Sequence, residues 1–163
     1  MQKNKGFSLI ELVAVIVVLG IIAVTAVPKF MNVQNDAKNA TVHGLKSALN
    51  SAMSISYGKA AIAGIESSPE GTIEINNEQI KTRYGYPEGT LNGIAKTINY
   101  DLDKWNLIET PGARKGIIFV WKNGPVNNIT QGCTVQYLEA NEDTPASLIV
   151  DKDACKLPLQ TKA

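Results

Sequence analysis

Glu11 is the only charged residue in the apolar stretch 7–27. A carboxylate placed this far inside an apolar helix is costly in lipid and is usually kept for a function. Its chemistry is pairing, because an ionised carboxylate among apolar side chains needs an opposite charge. The alternative is a side chain that extends from the helix end into water.

Two cysteines, Cys133 and Cys155, are the other residues with a specific chemistry, and the chain has no more of them. A disulfide is the default for two cysteines in an oxidising compartment, and two free thiols are the alternative. The chain-entropy model gives such a bridge about 3 kcal/mol of stabilisation. We expect the bridge to pin the C-terminal hairpin to the sheet.

No motif in the chain predicts catalysis or cofactor binding. Paired histidines at metal-ligand spacing, a phosphate-binding glycine loop and a Gly-x-Ser-x-Gly turn are all missing from the sequence. The sequence therefore predicts no catalytic residue, no metal site and no cofactor, and a protein that is not an enzyme. A net charge of +1 gives no case for nucleic-acid binding.

A cluster of acidic residues near the cysteines has two interpretations. One is a calcium site, and the favoured one is a solvated rim of the hairpin. His43 is expected on the helix surface rather than at a ligand site. The members of the acidic cluster are Glu139, Glu142, Asp143, Asp151 and Asp153.

The apolar stretch 7–27 must position Glu11. As a helix it would span about 32 Å, close to the hydrocarbon thickness of a bilayer. Lys3 and Lys5 precede it, so the positive-inside tendency places its N-terminal end in the cytoplasm and the rest of the chain outside. A secretory signal peptide that ends near Pro28 and a plain membrane anchor are the alternatives, and neither explains Glu11.

The helix is predicted to continue well past this stretch. Apolar residues recur every three or four positions as far as Met53, so the helix should run from about Phe7 to about Tyr57, where Gly58 can end it. Pro28 lies inside it and predicts a kink. The hydroxyl of Thr25 is expected to bond back to a carbonyl in the preceding turn.

The remainder of the chain reads as a small antiparallel sheet that covers the apolar stripe of the helix, an α+β fold. A hairpin around Asn76-Asn77 is expected in the loop that follows the helix. Tyr84 and Tyr86 are interpreted as plugs at the side of the core rather than as ligand contacts. The predicted hairpin strands are Thr72–Ile75 and Gln79–Thr82, and the predicted sheet strands are Gly116–Trp121, Cys133–Leu138 and Ser147–Val150.

The run Lys5-Gly6-Phe7-Ser8-Leu9-Ile10-Glu11-Leu12 resembles the cleavage signal of the type IV prepilins. The resemblance implies a cut between Gly6 and Phe7 and methylation of the new N-terminus at Phe7. It also implies that Glu11 meets the Phe7 amine of a neighbouring subunit. Pro28 falls where that family often has a proline.

A second resemblance, to the mannose-sensitive haemagglutinin type pilins, lies further along the chain. It is carried by the runs Tyr57-Gly58-Lys59-Ala60-Ala61-Ile62-Ala63-Gly64, Tyr84-Gly85-Tyr86-Pro87 and Gly44-Leu45-Lys46. The two resemblances imply a division into a cleaved leader (1–6), a long helix (7–57, with 7–27 in the membrane or filament core) and a globular head (58–163). The head would hold a loop after the helix, the antiparallel sheet and a disulfide-closed C-terminal hairpin.

The function implied by these resemblances is a structural major subunit of a type IV pilus that mediates surface attachment. The implied partners are identical or related pilin subunits in a helical homopolymer, a prepilin peptidase, an inner-membrane assembly platform, the bilayer before assembly and a host or surface glycan. The chain would lie in the inner membrane before assembly and in an extracellular filament afterwards. A type II secretion pseudopilin, a minor pilin and a DNA-uptake or lectin-like subunit are the alternatives.

Overall fold

One long helix, α1, begins at Leu9 and ends at Ile62 in the computed structural model, which describes residues 8–122, 133–150 and 155. The chain divides into two compact units, Met1–Ala37 and Lys38–Ala163. Helix α1 supplies the described part of the first unit and continues into the second. The predicted long N-terminal helix is therefore confirmed, and it remains helical through Pro28.

The C-terminal end of α1 lies beyond the predicted end near Tyr57. Gly58 stays within the helix, and the terminating residue is Gly64, whose φ of +68° places it in the left-handed region. The Gly64 amide donates to the Ala61 carbonyl over 3.1 Å, and the Ile65 amide donates to the Ala60 carbonyl over 2.9 Å. This pair of bonds is the Schellman arrangement that ends many helices. A glycine ends a helix only where its backbone adopts the left-handed conformation. The positions of the two glycines in the sequence therefore did not show that Gly64, rather than Gly58, ends the helix.

A three-stranded antiparallel sheet follows the helix, in the order β1-β2-β3. Its strands are β1 (Gly71–Ile75), β2 (Glu78–Arg83) and β3 (Tyr86–Pro87). Asn76 and Asn77 join the first two strands with positive φ angles of 52° and 63°, which confirms the predicted hairpin. Two successive left-handed residues suit the right-handed twist of a tight hairpin, and asparagine tolerates that conformation.

A four-stranded antiparallel meander, in the order β4-β5-β6-β7, forms the second sheet. Its strands are β4 (Trp105–Thr110), β5 (Gly116–Trp121), β6 (Thr134–Leu138) and β7 (Ser147–Val150). The last three agree with the predicted strands, except that β6 begins one position after Cys133. Strand β4 was not predicted from the sequence. It is an edge strand with a mostly exposed burial pattern, so it lacks the apolar run that marked β5.

The core of the second unit lies between one face of α1 and the four-stranded sheet. Val42, Leu45, Leu49 and Met53 face it at helical spacing. Alternate residues of β5 and β6 meet this stripe because successive strand side chains point to opposite faces. They are Ile117, Phe119, Val135 and Tyr137. The α+β arrangement predicted from the sequence, a helix packed on an antiparallel sheet, is confirmed.

Candidate functional site

Glu11 lies in the first turn of α1 and takes part in a reciprocal cap with Ser8. The Glu11 Oε2 atom accepts from the Ser8 backbone amide over 2.9 Å and from the Ser8 hydroxyl over 2.8 Å. In return, the Glu11 amide donates to the Ser8 hydroxyl oxygen over 3.4 Å. This is a capping box, in which a serine before the helix and a glutamate three positions later satisfy each other's free amides. The sequence analysis missed this role, although the Ser-x-x-Glu spacing signals it.

The helix around Glu11 presents apolar side chains in every direction. Over Leu9–Val27 the mean hydropathy is 2.9 and no residue of the segment is buried. A helix that is apolar all round needs lipid or other helices around it. By length and composition this segment is a candidate membrane span.

Thr25 closes one turn of this segment with its side chain. Its hydroxyl donates to the Ile22 carbonyl over 2.9 Å, as predicted. Helix α1 is continuous at Pro28, and the kink there stays a prediction. Gly6 and Phe7, the predicted cleavage and methylation residues, lie outside the described residues.

Cys133 and Cys155 form the predicted disulfide, with Cα atoms 4.5 Å apart. Both cysteines are fully buried in the core against α1. The Cys155 amide donates to Asn39 Oδ1 over 3.2 Å, so the chain is also attached to the helix at this point. The bridge closes the segment that contains β6 and β7, the last two strands of the sheet.

Glu139 is only 1% exposed. The interpretation of the acidic cluster as a solvated rim is therefore wrong for this residue. Its Oε1 pairs with Arg83 Nη1 at 3.3 Å and accepts from the Lys115 amide over 3.2 Å. Its Oε2 accepts from the Gly89 amide over 3.0 Å. Glu139 thus links the loop after the small sheet to the large sheet. A buried carboxylate needs several donors, and these lie far away in the sequence.

A second ion pair spans the same junction. Lys115 Nζ lies 2.9 Å from Glu88 Oε1. Burial opposes ionisation of Glu88, but the hydrogen bond and the positive charge of Lys115 outweigh it and lower the pKa of the Glu88 carboxyl. The same contact raises the pKa of the Lys115 ammonium.

Tyr137 supports this junction from the core. Its hydroxyl donates to the Pro87 carbonyl, which joins β6 to the end of β3. Burial is the largest of the effects that raise the pKa of Tyr137 far above its ordinary value, so the hydroxyl stays neutral and keeps donating.

The other acids of the cluster and His43 are described only in part. His43, Glu142 and Asp143 are exposed, and Asp151 and Asp153 lie outside the described residues. Among the residues that the structure describes, no group of three His, Cys, Asp or Glu side chains is placed to hold a metal ion.

Tyr84 and Tyr86 pack against the core cluster, as predicted, and are partly buried. The ring of Tyr86 lies against that of Tyr57 on α1, with centroids 5.0 Å apart. Tyr84 and Gly85 make the β2–β3 turn with φ angles of 46° and 78°. The three tyrosines therefore lie in or next to a turn at the surface of the second unit.

Comparison with known proteins identifies the N-terminal segment. Residues 1–27 match the family model of the prokaryotic N-terminal methylation motif. Over 54 residues the chain is 44% identical to the type IV narrow pilus major component of Thermus thermophilus. This match covers 33% of the chain and 47% of that relative, so the chain spans about half of the relative's length. No solved structure matches the chain.

Proposed function

We propose that this chain, which has the N-terminal methylation motif of the type IV pilins, is a structural subunit of an extracellular type IV pilus. The peptidase of this family would cut between Gly6 and Phe7 and methylate Phe7. The chain would reside in the inner membrane before assembly and would then join identical or related subunits on an assembly platform. In this proposal it acts by assembly and adhesion, without catalysis.

The observation that carries the proposal is the exposed apolar surface of α1 over Leu9–Val27, in which Glu11 is the only charged residue. Such a surface is stable in lipid, and equally stable when identical helices surround it. One segment can therefore serve first as a membrane span and later as filament core. Glu11 supplies the register, because its carboxylate would pair with the α-amino group of Phe7 in a neighbouring subunit.

The head supports a filament subunit rather than a pseudopilin of a secretion machine. The Cys133–Cys155 bridge holds the hairpin that a calcium site would otherwise have to hold. We propose a major pilin, of the mannose-sensitive haemagglutinin type, whose filament attaches cells to surfaces. A pseudopilin or a minor pilin is the alternative.

The experiment is fractionation of surface filaments sheared from cells, with intact-mass analysis of their main protein. We expect this chain to be the main component, to lack residues 1–6 and to carry one methyl group on Phe7. Gly6→Leu should block the cut and leave a full-length chain in the membrane. An N-terminus at Met1 or near Pro28 in the filament fraction would end the proposal, and a trace amount would favour a minor pilin or pseudopilin.

A further inference from the structure

A groove of about 460 Å³ lies at the surface of the second unit, beside the turn between β2 and β3. One wall is aromatic and contains Tyr57, Tyr84 and Tyr86. The polar turn 140–145 between β6 and β7 also lines the groove. Only Tyr57 in this groove comes from helix α1, neither cysteine lines it, and the proposed filament function does not use it.

The aromatic wall is held in place by close packing. The rings of Tyr57 and Tyr86 lie 5.0 Å apart at an interplanar angle of 34°. Gly85 permits this arrangement, since a Cβ atom there would lie 2.8 Å from Tyr57 Cδ2 and 3.1 Å from the Glu66 backbone. Tyr57 is still 39% exposed, so ring surface remains available to a ligand.

The charged side chains that line the groove are all acidic. Glu66, Glu142 and Asp143 line it, and no lysine or arginine is among its described lining residues. The Oε2 atom of Glu66 is covered and has no hydrogen-bond partner in the part of the chain that the structure describes. A ligand in the groove does not reach this covered oxygen, but the Glu66 carboxylate and those of Glu142 and Asp143 give the groove a negative charge that favours a cationic ligand.

We propose that this groove binds an alkylammonium group. The negative faces of aromatic rings attract an organic cation within about 6 Å of the ring centre, and flanking carboxylates strengthen the attraction. An anion would be repelled by the three acids. A neutral sugar could stack on the tyrosines, but it would leave the negative charge of the three acids uncompensated. The cation can belong to a small quaternary ammonium compound or to a lysine side chain of another protein.

The test is calorimetric titration of the full chain in detergent micelles, at constant ionic strength, with choline as the probe. The neutral control is 3,3-dimethylbutan-1-ol, which has the shape of choline without its charge. We expect choline to bind about tenfold or more tightly than this alcohol. Equal affinities, or binding of methyl α-mannoside without binding of choline, would overturn the proposal.

Two variants locate the binding to the groove. Glu66→Gln should weaken choline binding about fivefold by removing one charge. Glu74→Gln, at an exposed position of strand β1, should leave it unchanged. Tyr84→Asn removes one ring and suits the left-handed backbone at this position, so it should also weaken binding while the turn persists. Unchanged affinity in both groove variants would show that choline binds elsewhere, which overturns the assignment.

A third probe distinguishes the two sources of the cation. Nα-acetyl-lysine amide carries the primary ammonium group of a lysine side chain. Tighter binding of this probe than of choline would identify a protein lysine as the natural occupant, and the reverse would identify a quaternary ammonium compound. Either order supports the groove as an alkylammonium site, and failure of both probes to bind overturns it.

Discussion

At the scale of one residue, the capping role of Glu11 can be separated from its proposed pairing role. Within a single chain it caps α1 through Ser8. Between chains, in the proposed filament, it would neutralise a buried ammonium group. Capping needs only an acceptor oxygen, and glutamine supplies one. Pairing needs the negative charge, which glutamine lacks.

Glu11→Gln and Glu11→Val should therefore both insert into the membrane, since removing a charge favours insertion. We expect both variants to lower surface filament yield about tenfold or more, because the neighbouring Phe7 ammonium would enter the core unpaired. The measurement is filament yield beside the membrane level of subunit, in cells that express only the variant.

Ser8→Ala is the matched control for this pair of variants. It removes the capping hydroxyl and keeps the carboxylate, so filament yield should stay close to that of the wild type. Normal yield with Glu11→Gln and a low yield with Ser8→Ala would mean that helix capping, not charge pairing, is what assembly requires.

Glu139 is the second residue whose role depends on its surroundings. Glu139→Ala would leave the Arg83 guanidinium and the Gly89 and Lys115 amides without their acceptor. We expect a loss of about 3 kcal/mol in the free energy of unfolding. Urea unfolding of the full chain in detergent, followed by tryptophan fluorescence, measures it.

The control for Glu139→Ala is Glu142→Ala on the neighbouring turn, where the side chain is exposed. Its effect should stay within about 0.5 kcal/mol, the usual range for exposed sites. A Glu139→Ala variant as stable as this control would show that the loop after β3 does not depend on the buried carboxylate.

At the scale of the element, two glycines, one inside α1 and one just after its C-terminal end, have opposite effects on the helix. Gly58 lies inside the helix with nothing within 4 Å of a Cβ at that position, whereas Gly64 has a φ of +68°. An alanine favours the helix interior over glycine, but it resists the left-handed conformation that ends the helix.

Gly58→Ala should raise the free energy of unfolding by about 0.5–1 kcal/mol, and Gly64→Ala should lower it by about 1 kcal/mol. The same urea titration measures both, and each serves as the control of the other. If Gly58→Ala were the destabilising change, the helix would end near Tyr57, as its sequence first indicated.

At the scale of the whole molecule, the stability of the second unit is linked to pH through the contact that joins its two sheets. Glu88 has its pKa lowered below the ordinary 4.5 by Lys115. The unfolded chain therefore binds more protons than the folded chain near this pH. The stabilisation by Glu88 is present above about pH 4.5 and is lost as the pH falls through the lower pKa of the folded state.

Glu88→Gln should accordingly cost about 0.5 kcal/mol at pH 7, as expected for a partly exposed ion pair. The difference from the wild type should shrink towards zero as the pH falls below 4.5. Urea unfolding of both proteins at pH 7 and in a series of acidic buffers measures this. A difference that stays constant down to pH 3 would show that the side chains pack without electrostatic coupling.

Several features of the whole molecule follow from sequence alone because their causes are local. The apolar stretch 7–27 needs lipid or protein around it whatever the rest of the chain does. Asn76-Asn77 between two β-prone runs specifies a hairpin, and the runs of β5, β6 and β7 have strand propensity in themselves. The Cys133–Cys155 bridge followed because the chain holds only two cysteines.

Other features were decided only by tertiary structure, because they depend on residues that are distant in sequence. Glu139 reads as a surface acid, and only the approach of Arg83, Gly89 and Lys115 makes it a buried partner. The tyrosine groove likewise needs a helix, a turn and a loop to meet at one place. A charged or aromatic side chain acquires a role of this kind only when folding sets the local dielectric and brings its partners close. The spacing of residues along the chain specifies neither the dielectric nor the partners.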